Sequence, residues 1–71
     1  MSQTRYYRSI TCGSLYRVRT SPATRAQPAG TWQARRSVRC PEAGFSPEYP
    51  TTPAEVARLV DLGLFLEVPA P

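Results

Sequence analysis

Seventy-one residues leave room for one domain, and a chain of this length buries only roughly 60% of the surface that its unfolded form exposes. Nine basic residues, all arginine, stand against five acids for a net charge of +4, with two cysteines and no histidine. That set excludes a zinc site of two cysteines with two histidines, or of four cysteines, within one chain, and no histidine or lysine is present as a general base near neutral pH. Metal, cofactor and enzymatic readings are therefore set aside, and no paired carboxylates stand at a spacing that would drive their pKa values apart. No stretch approaches the ~18 consecutive apolar residues of a membrane span, and the first fifteen residues carry Arg5 and Arg8 with no apolar run behind them. The expectation is a chain without membrane attachment, made in the cytoplasm and either kept there or carried out inside an assembly.

In chain order, residues 4 to 20 (TRYYRSITCGSLYRVRT) are rich in tyrosine and β-branched residues, with Leu15, Arg17 and Arg19 alternating against Tyr16 and Val18. This is strand chemistry, and Gly13 marks either a bulge or the turn of a short hairpin. Residues 21 to 30 (SPATRAQPAG) hold two prolines and a glycine, so a loop or extended arm is expected. Alternation returns in residues 31 to 40, with Trp32, Ala34, Val38 and Cys40 on one side. Arg36 interrupts that apolar side, which implies either an acid partner from the C-terminal part or a partly covered edge strand.

Residues 41 to 50 (PEAGFSPEYP) hold three prolines, which withhold backbone donors, and Phe45 and Tyr49 are expected to pin this segment to the body. A helix over about 53 to 62 follows from explicit punctuation. Thr52 caps, Pro53 occupies the first helical position, Glu55 completes a capping box and Gly63 stops the helix. Val56, Leu59 and Val60 make the stripe facing the sheet. The last strand is LFLEV, residues 64 to 68, with Leu64, Leu66 and Val68 on one face, before Pro69.

The predicted fold is α+β in a single small domain: a small antiparallel sheet of three or four short strands, one helix and proline-rich extended arms. A basic strand-rich part, 1–41, precedes a turn-helix-strand module, 42–71. The expected core is Trp32, Val56, Leu59, Val60 and Leu66, with an interface anchor as the other role open to Trp32. Two fates are open to the cysteines. A Cys12–Cys40 bridge would close a 28-residue separation, worth about 3 kcal/mol in the chain-entropy model, whereas reduced cysteines would be buried as small apolar side chains. The second is preferred.

Charge is divided unevenly: residues 1–41 hold eight arginines and no acid, while 42–71 hold all five acids and Arg58. Such asymmetry implies a polyanion partner or a charge-complementary protein contact. Arginines interleaved with aromatics suit both phosphate contact with base stacking and the hot spots of protein interfaces. Interface contacts are assigned to Arg5, Tyr6, Tyr7, Arg8, Tyr16, Arg17 and Arg19.

Residues 41 to 69, PEAGFSPEYPTTPAEVARLVDLGLFLEVP, resemble the small head-region proteins of tailed bacteriophages and Mu-like prophages, in which a glycine-bearing turn leads to a helix of the form T/S-x-x-E-x-x-x-L-x-x-x-G and a final apolar strand. Thr52, Glu55, Leu59, Gly63 and the LFLEV strand carry the match, over about forty per cent of the chain. The first forty residues have no counterpart in that pattern. The resemblance implies a non-enzymatic virion structural protein, a minor capsid or decoration protein held on the major capsid protein or other virion subunits in many copies, with homo-oligomers also open. A head-to-tail connector or tail component is the near alternative. A basic nucleic-acid-binding protein and a phage-encoded inhibitor of a host protein are the more distant ones. In this reading the helix and last strand anchor the protein, and the basic remainder drapes over a neighbouring subunit.

Overall fold

The computed structural model describes residues 3–26 and 28–71. Gln27, within the predicted loop, and the first two residues of the predicted basic part lie outside the described residues.

Five strands form one antiparallel sheet. β1 (Gln3–Ser9), β2 (Leu15–Ser21) and β3 (Gly30–Arg36) follow one another as a meander, β4 (Tyr49–Thr51) lies outside β3, and β5 (Phe65–Val68) lies outside β1. The order is β4-β3-β2-β1-β5, so helix α1 (Pro53–Asp61) carries the chain from one edge of the sheet to the other. The α+β class and, among the described residues, the one α-helix agree with the sequence expectation; the strand count does not. The additional strand is β4, whose Pro50 cannot donate to a ladder and is tolerated because β4 is an edge.

The basic part does not trail from an anchor, because β1, β2 and β3 are the centre of the sheet. Gly13 closes the β1–β2 hairpin with φ +73°, donating to the Ser9 carbonyl at 2.8 Å. That is a backbone region a residue with a Cβ enters at a cost, so the glycine is what permits the tight return.

Helix α1 begins and ends as its punctuation implies. The Thr52 hydroxyl accepts from the Glu55 amide at 3.1 Å, but the Glu55 carboxylate turns to Arg58, at 2.7 Å and 3.2 Å, so only half of the capping box forms. At the other end the Leu64 amide donates to Leu59 and the Gly63 amide to Val60, both at 3.0 Å, with Gly63 at φ +75°. This is a Schellman ending.

The helix lies on the face that holds Tyr7, Val18 and Phe65, and with Val56 these form the main core, flanked by Tyr16 and Leu59. Phe65 stacks on Tyr7 at 5.7 Å between ring centroids and meets Tyr16 at 4.9 Å. Val56 and Leu59 therefore face inward as expected, whereas Val60 is 40% and Leu66 54% exposed. The reason for Leu66 is parity. Pairing Ser9 with Phe65 and Arg8 with Leu66 places Phe65 on the helix face and turns Leu66 to the other.

Corrections apply to three further residues. Trp32 sits half-buried on the face away from the helix. Cys12 and Cys40 are free and exposed rather than buried, since one lies in the hairpin loop and the other beyond β3, which ends at Arg36. No helix among the described residues is long and apolar enough to cross a membrane.

Candidate interaction face

Sheet register sorts the arginines and aromatics. On the face opposite α1, Leu66, Arg8, Leu15 and Arg36 form one row across β5, β1, β2 and β3. The next row is Val68, Tyr6, Arg17 and Ala34, and the third is Thr4, Arg19, Trp32 and Pro50. Of the seven predicted interface residues, Tyr6, Arg8, Arg17 and Arg19 share this face. Arg5, Tyr7 and Tyr16 fall on the helix face, where Tyr7 is a core residue and Arg5 pairs with Glu67 at 3.5 Å.

Alternation along β1 and β2 is what divides them, because successive side chains leave a strand on opposite sides. Three residues outside the seven assigned to the interface belong with it: Arg36, Phe45 and Trp32, for which an interface anchor was the second of two expected roles. The signal for Trp32 and Arg36 was the parity of β3, on which they stand four positions apart and so leave the strand on the same side. Phe45 had no such signal.

Phe45 reaches the face because the segment 37–48 folds back along β3. A 3₁₀ turn over Pro41–Ala43 redirects the chain, and Ser46 then clamps to Arg35 through two bonds, its amide donating to the carbonyl at 2.8 Å and its hydroxyl accepting at 3.1 Å. The Phe45 ring lies 6.3 Å from Tyr6 and under two guanidinium groups, Arg17 at 4.6 Å and Arg36 at 5.4 Å. Arg36 thus meets neither of the two expectations, an acid partner or an edge strand: it lies over a ring, and β3 is flanked by β4 and β2. Leu15 and Ala34 are buried beneath, so this face has a small core of its own.

Glu48 is the acid on this face. Arg19 donates to both its oxygens at 3.0 Å while stacking over Trp32 at 4.9 Å, and Arg17 stands at 4.0 Å. The Arg19 hydrogen bonds, followed by the charges of Arg19 and Arg17, hold the Glu48 carboxyl below its ordinary value despite some desolvation. The Nε of Arg17 is buried without a hydrogen-bond partner. An orphaned donor is costly, and the negative face of the Phe45 ring is the compensation this position offers.

Two clefts accompany the face and its reverse. One of about 160 Å³ lies between the start of α1 and the sheet, lined by Arg5, Tyr7, Thr31 and Val56 among others. The second, about 170 Å³, opens on the arginine face between the β1–β2 hairpin and the segment after β3. Both fall below the roughly 300 Å³ at which ordinary small-molecule sites begin. Cys12, beside the second region in sequence, has its thiol lowered to about 6 by hydrogen bonds from Ser14 and Ser9. Such a lowering favours the thiolate, which is the nucleophilic form of cysteine.

Comparison with protein-family models, with curated proteins and with solved structures finds no match to this chain.

Proposed function

We propose that the chain is a non-enzymatic virion subunit of a tailed bacteriophage, a minor capsid or decoration protein that docks on the capsid shell through its arginine and aromatic face. The observation that carries the docking role is the grouping of Arg8, Arg17, Arg19 and Arg36 with Tyr6, Trp32 and Phe45 on one sheet face around a single acid. Arginine and aromatic side chains carry the largest share of interface energy, and they do so when set on a rigid support. A virion setting rests on the resemblance of residues 41–69, and many repeated copies would let each contact be weak while the whole layer holds.

The test is mass spectrometry of purified particles. The chain should be recovered at a fixed molar ratio to the major capsid protein; particles without it reject the virion role. Recovery with tails alone would favour the connector or tail placement.

A second reading, nucleic-acid binding, is favoured by the same interleaving of arginine and aromatic residues on a strand platform. It requires affinity for generic DNA or RNA that falls steeply with added salt as counterions return. Salt-independent indifference to polynucleotides would dismiss it.

A further inference from the structure

We infer that the cleft between the β1–β2 hairpin and residues 37–41 is a receptor for one carboxylate side chain of a partner protein, presented on an extended segment with apolar neighbours. The inference rests on the proposed reading only in taking the partner to be a protein.

The row Leu66, Arg8, Leu15, Arg36 puts two guanidinium groups on either side of one buried leucine. Their Cα atoms are separated by two inter-strand steps, about 10 Å, and both side chains line the same cleft. A carboxylate between them can accept from both at once through charge-assisted hydrogen bonds, the strong class of protein hydrogen bond. No acid lines the cleft.

Four of the chain's five acids are engaged elsewhere, and the fifth, Asp61, is the last residue of α1 and does not line the cleft. Glu48 is bonded to Arg19, Glu55 to Arg58 and Glu67 to Arg5, while Glu42 accepts from the Cys40 thiol at 3.3 Å. Among the described residues Arg8 therefore has no ion pair, and Arg36 has only the Phe45 ring. The floor, Leu15, is 8% exposed, so an incoming anion meets these charges against apolar surface, where the attraction is less screened.

Two further observations decide between a carboxylate and a nucleic-acid phosphate chain. Glu48 stands farther along the same face, beside Arg17 and Arg19, so a phosphodiester strand leaving the cleft in that direction meets a negative charge. Exposed apolar side chains stand at and beside the cleft: Val38, which lines it, is 58% exposed, and Leu66, the strand neighbour of Arg8, is 54% exposed. One acid flanked by leucine-like residues matches both the charge and the rim, whereas a continuous polyanion matches neither.

The experiment follows the side-chain Nε–Hε resonances of the full chain during titration with three probes: acetyl-Leu-Glu-Leu-amide, its Gln counterpart, and hexathymidylate. The expected result is saturable shifts at Arg8 and Arg36 with the Glu peptide and at least about tenfold weaker binding of the Gln peptide. Arg8→Lys and Arg36→Lys keep the charge but lose the fork, so each should weaken the Glu peptide by about tenfold. Unchanged amide shifts at Tyr7, Val18 and Phe65 report an intact fold, and either variant alone suffices. Equal binding of the Glu and Gln peptides, absence of saturable shifts, shifts centred on other arginines, or tighter binding of hexathymidylate at this pair would each overturn the inference. Particles lacking the chain would remove the virion setting and leave this result untouched.

Discussion

Arg19 and Glu48 show how one residue pair can orient a surface. Bidentate bonding fixes the guanidinium plane, and that plane then covers Trp32. Because the folded Glu48 carboxyl lies below its unfolded value, the pair contributes stability that is present above the ordinary glutamate value of about 4.3 and is lost as pH falls through the lower folded value. Glu48→Gln should therefore flatten part of the acid limb of the stability curve while changing its shape little at neutral pH, as read from denaturant midpoints across the acid range. An unaltered acid limb would mean that the pair is not formed in solution. The pairing itself was not legible in the sequence, since the two residues are 29 positions apart and nothing in either local pattern points to the other.

At the scale of elements, the segment 37–48 has one short 3₁₀ turn as its only regular structure, yet it helps to define the face. It holds position through the Ser46 clamp on Arg35 and the Phe45 ring, with little secondary structure of its own. Phe45→Ala removes two cation–π contacts and the tilted contact with Tyr6, each modest alone. Hydrogen exchange at the Ser46 amide should quicken by about tenfold in that variant, a factor that corresponds to roughly 1.4 kcal/mol, while amides of β1 and β2 stay protected. Uniform loss of protection across the sheet would show that Phe45 is part of the global core instead. The two sheet edges differ in the same spirit: β4 carries Pro50, which blunts pairing with another chain, whereas β5 is ended only by Pro69.

The whole molecule is held by two thin layers on either side of one sheet. Tyr7, Val18, Val56 and Phe65 form the layer under the helix, and Leu15 and Ala34 lie beneath the arginine face. With so few buried apolar residues, each carries a large share of a stability that for a domain of this size rarely exceeds ~3–5 kcal/mol. Phe65 joins α1's neighbour strand to both tyrosines, so Phe65→Ala, at a cost of about 3–5 kcal/mol, should leave the chain largely unfolded at room temperature by circular dichroism. A cooperative melt near the parent midpoint would contradict this account of the core. Such a thin core also explains why so much aromatic and arginine surface is organised by stacking and ion pairs rather than by depth of burial.

Local chemistry in the chain was enough for what depends on neighbours in sequence. The Thr52 cap, Pro53, Gly63 and the 56/59 spacing place α1 to within a residue of its observed end, and the alternation of β1, β2, β3 and β5 identifies four of the five strands. Four of the seven candidate interface residues also emerge together, because period-two alternation along β1 and β2 survives into the sheet. Tertiary structure alone decided which side of each strand meets the helix, and so reversed Leu66 and Phe65. It also brought Phe45 under Arg17 and Arg36 and set Trp32 under Arg19, and it drew β4 into the sheet despite Pro50. The physical reason is that pattern gives a strand two faces without naming the inner one. Register with a distant partner makes that choice, through contacts whose energy appears only once the chain has closed on itself.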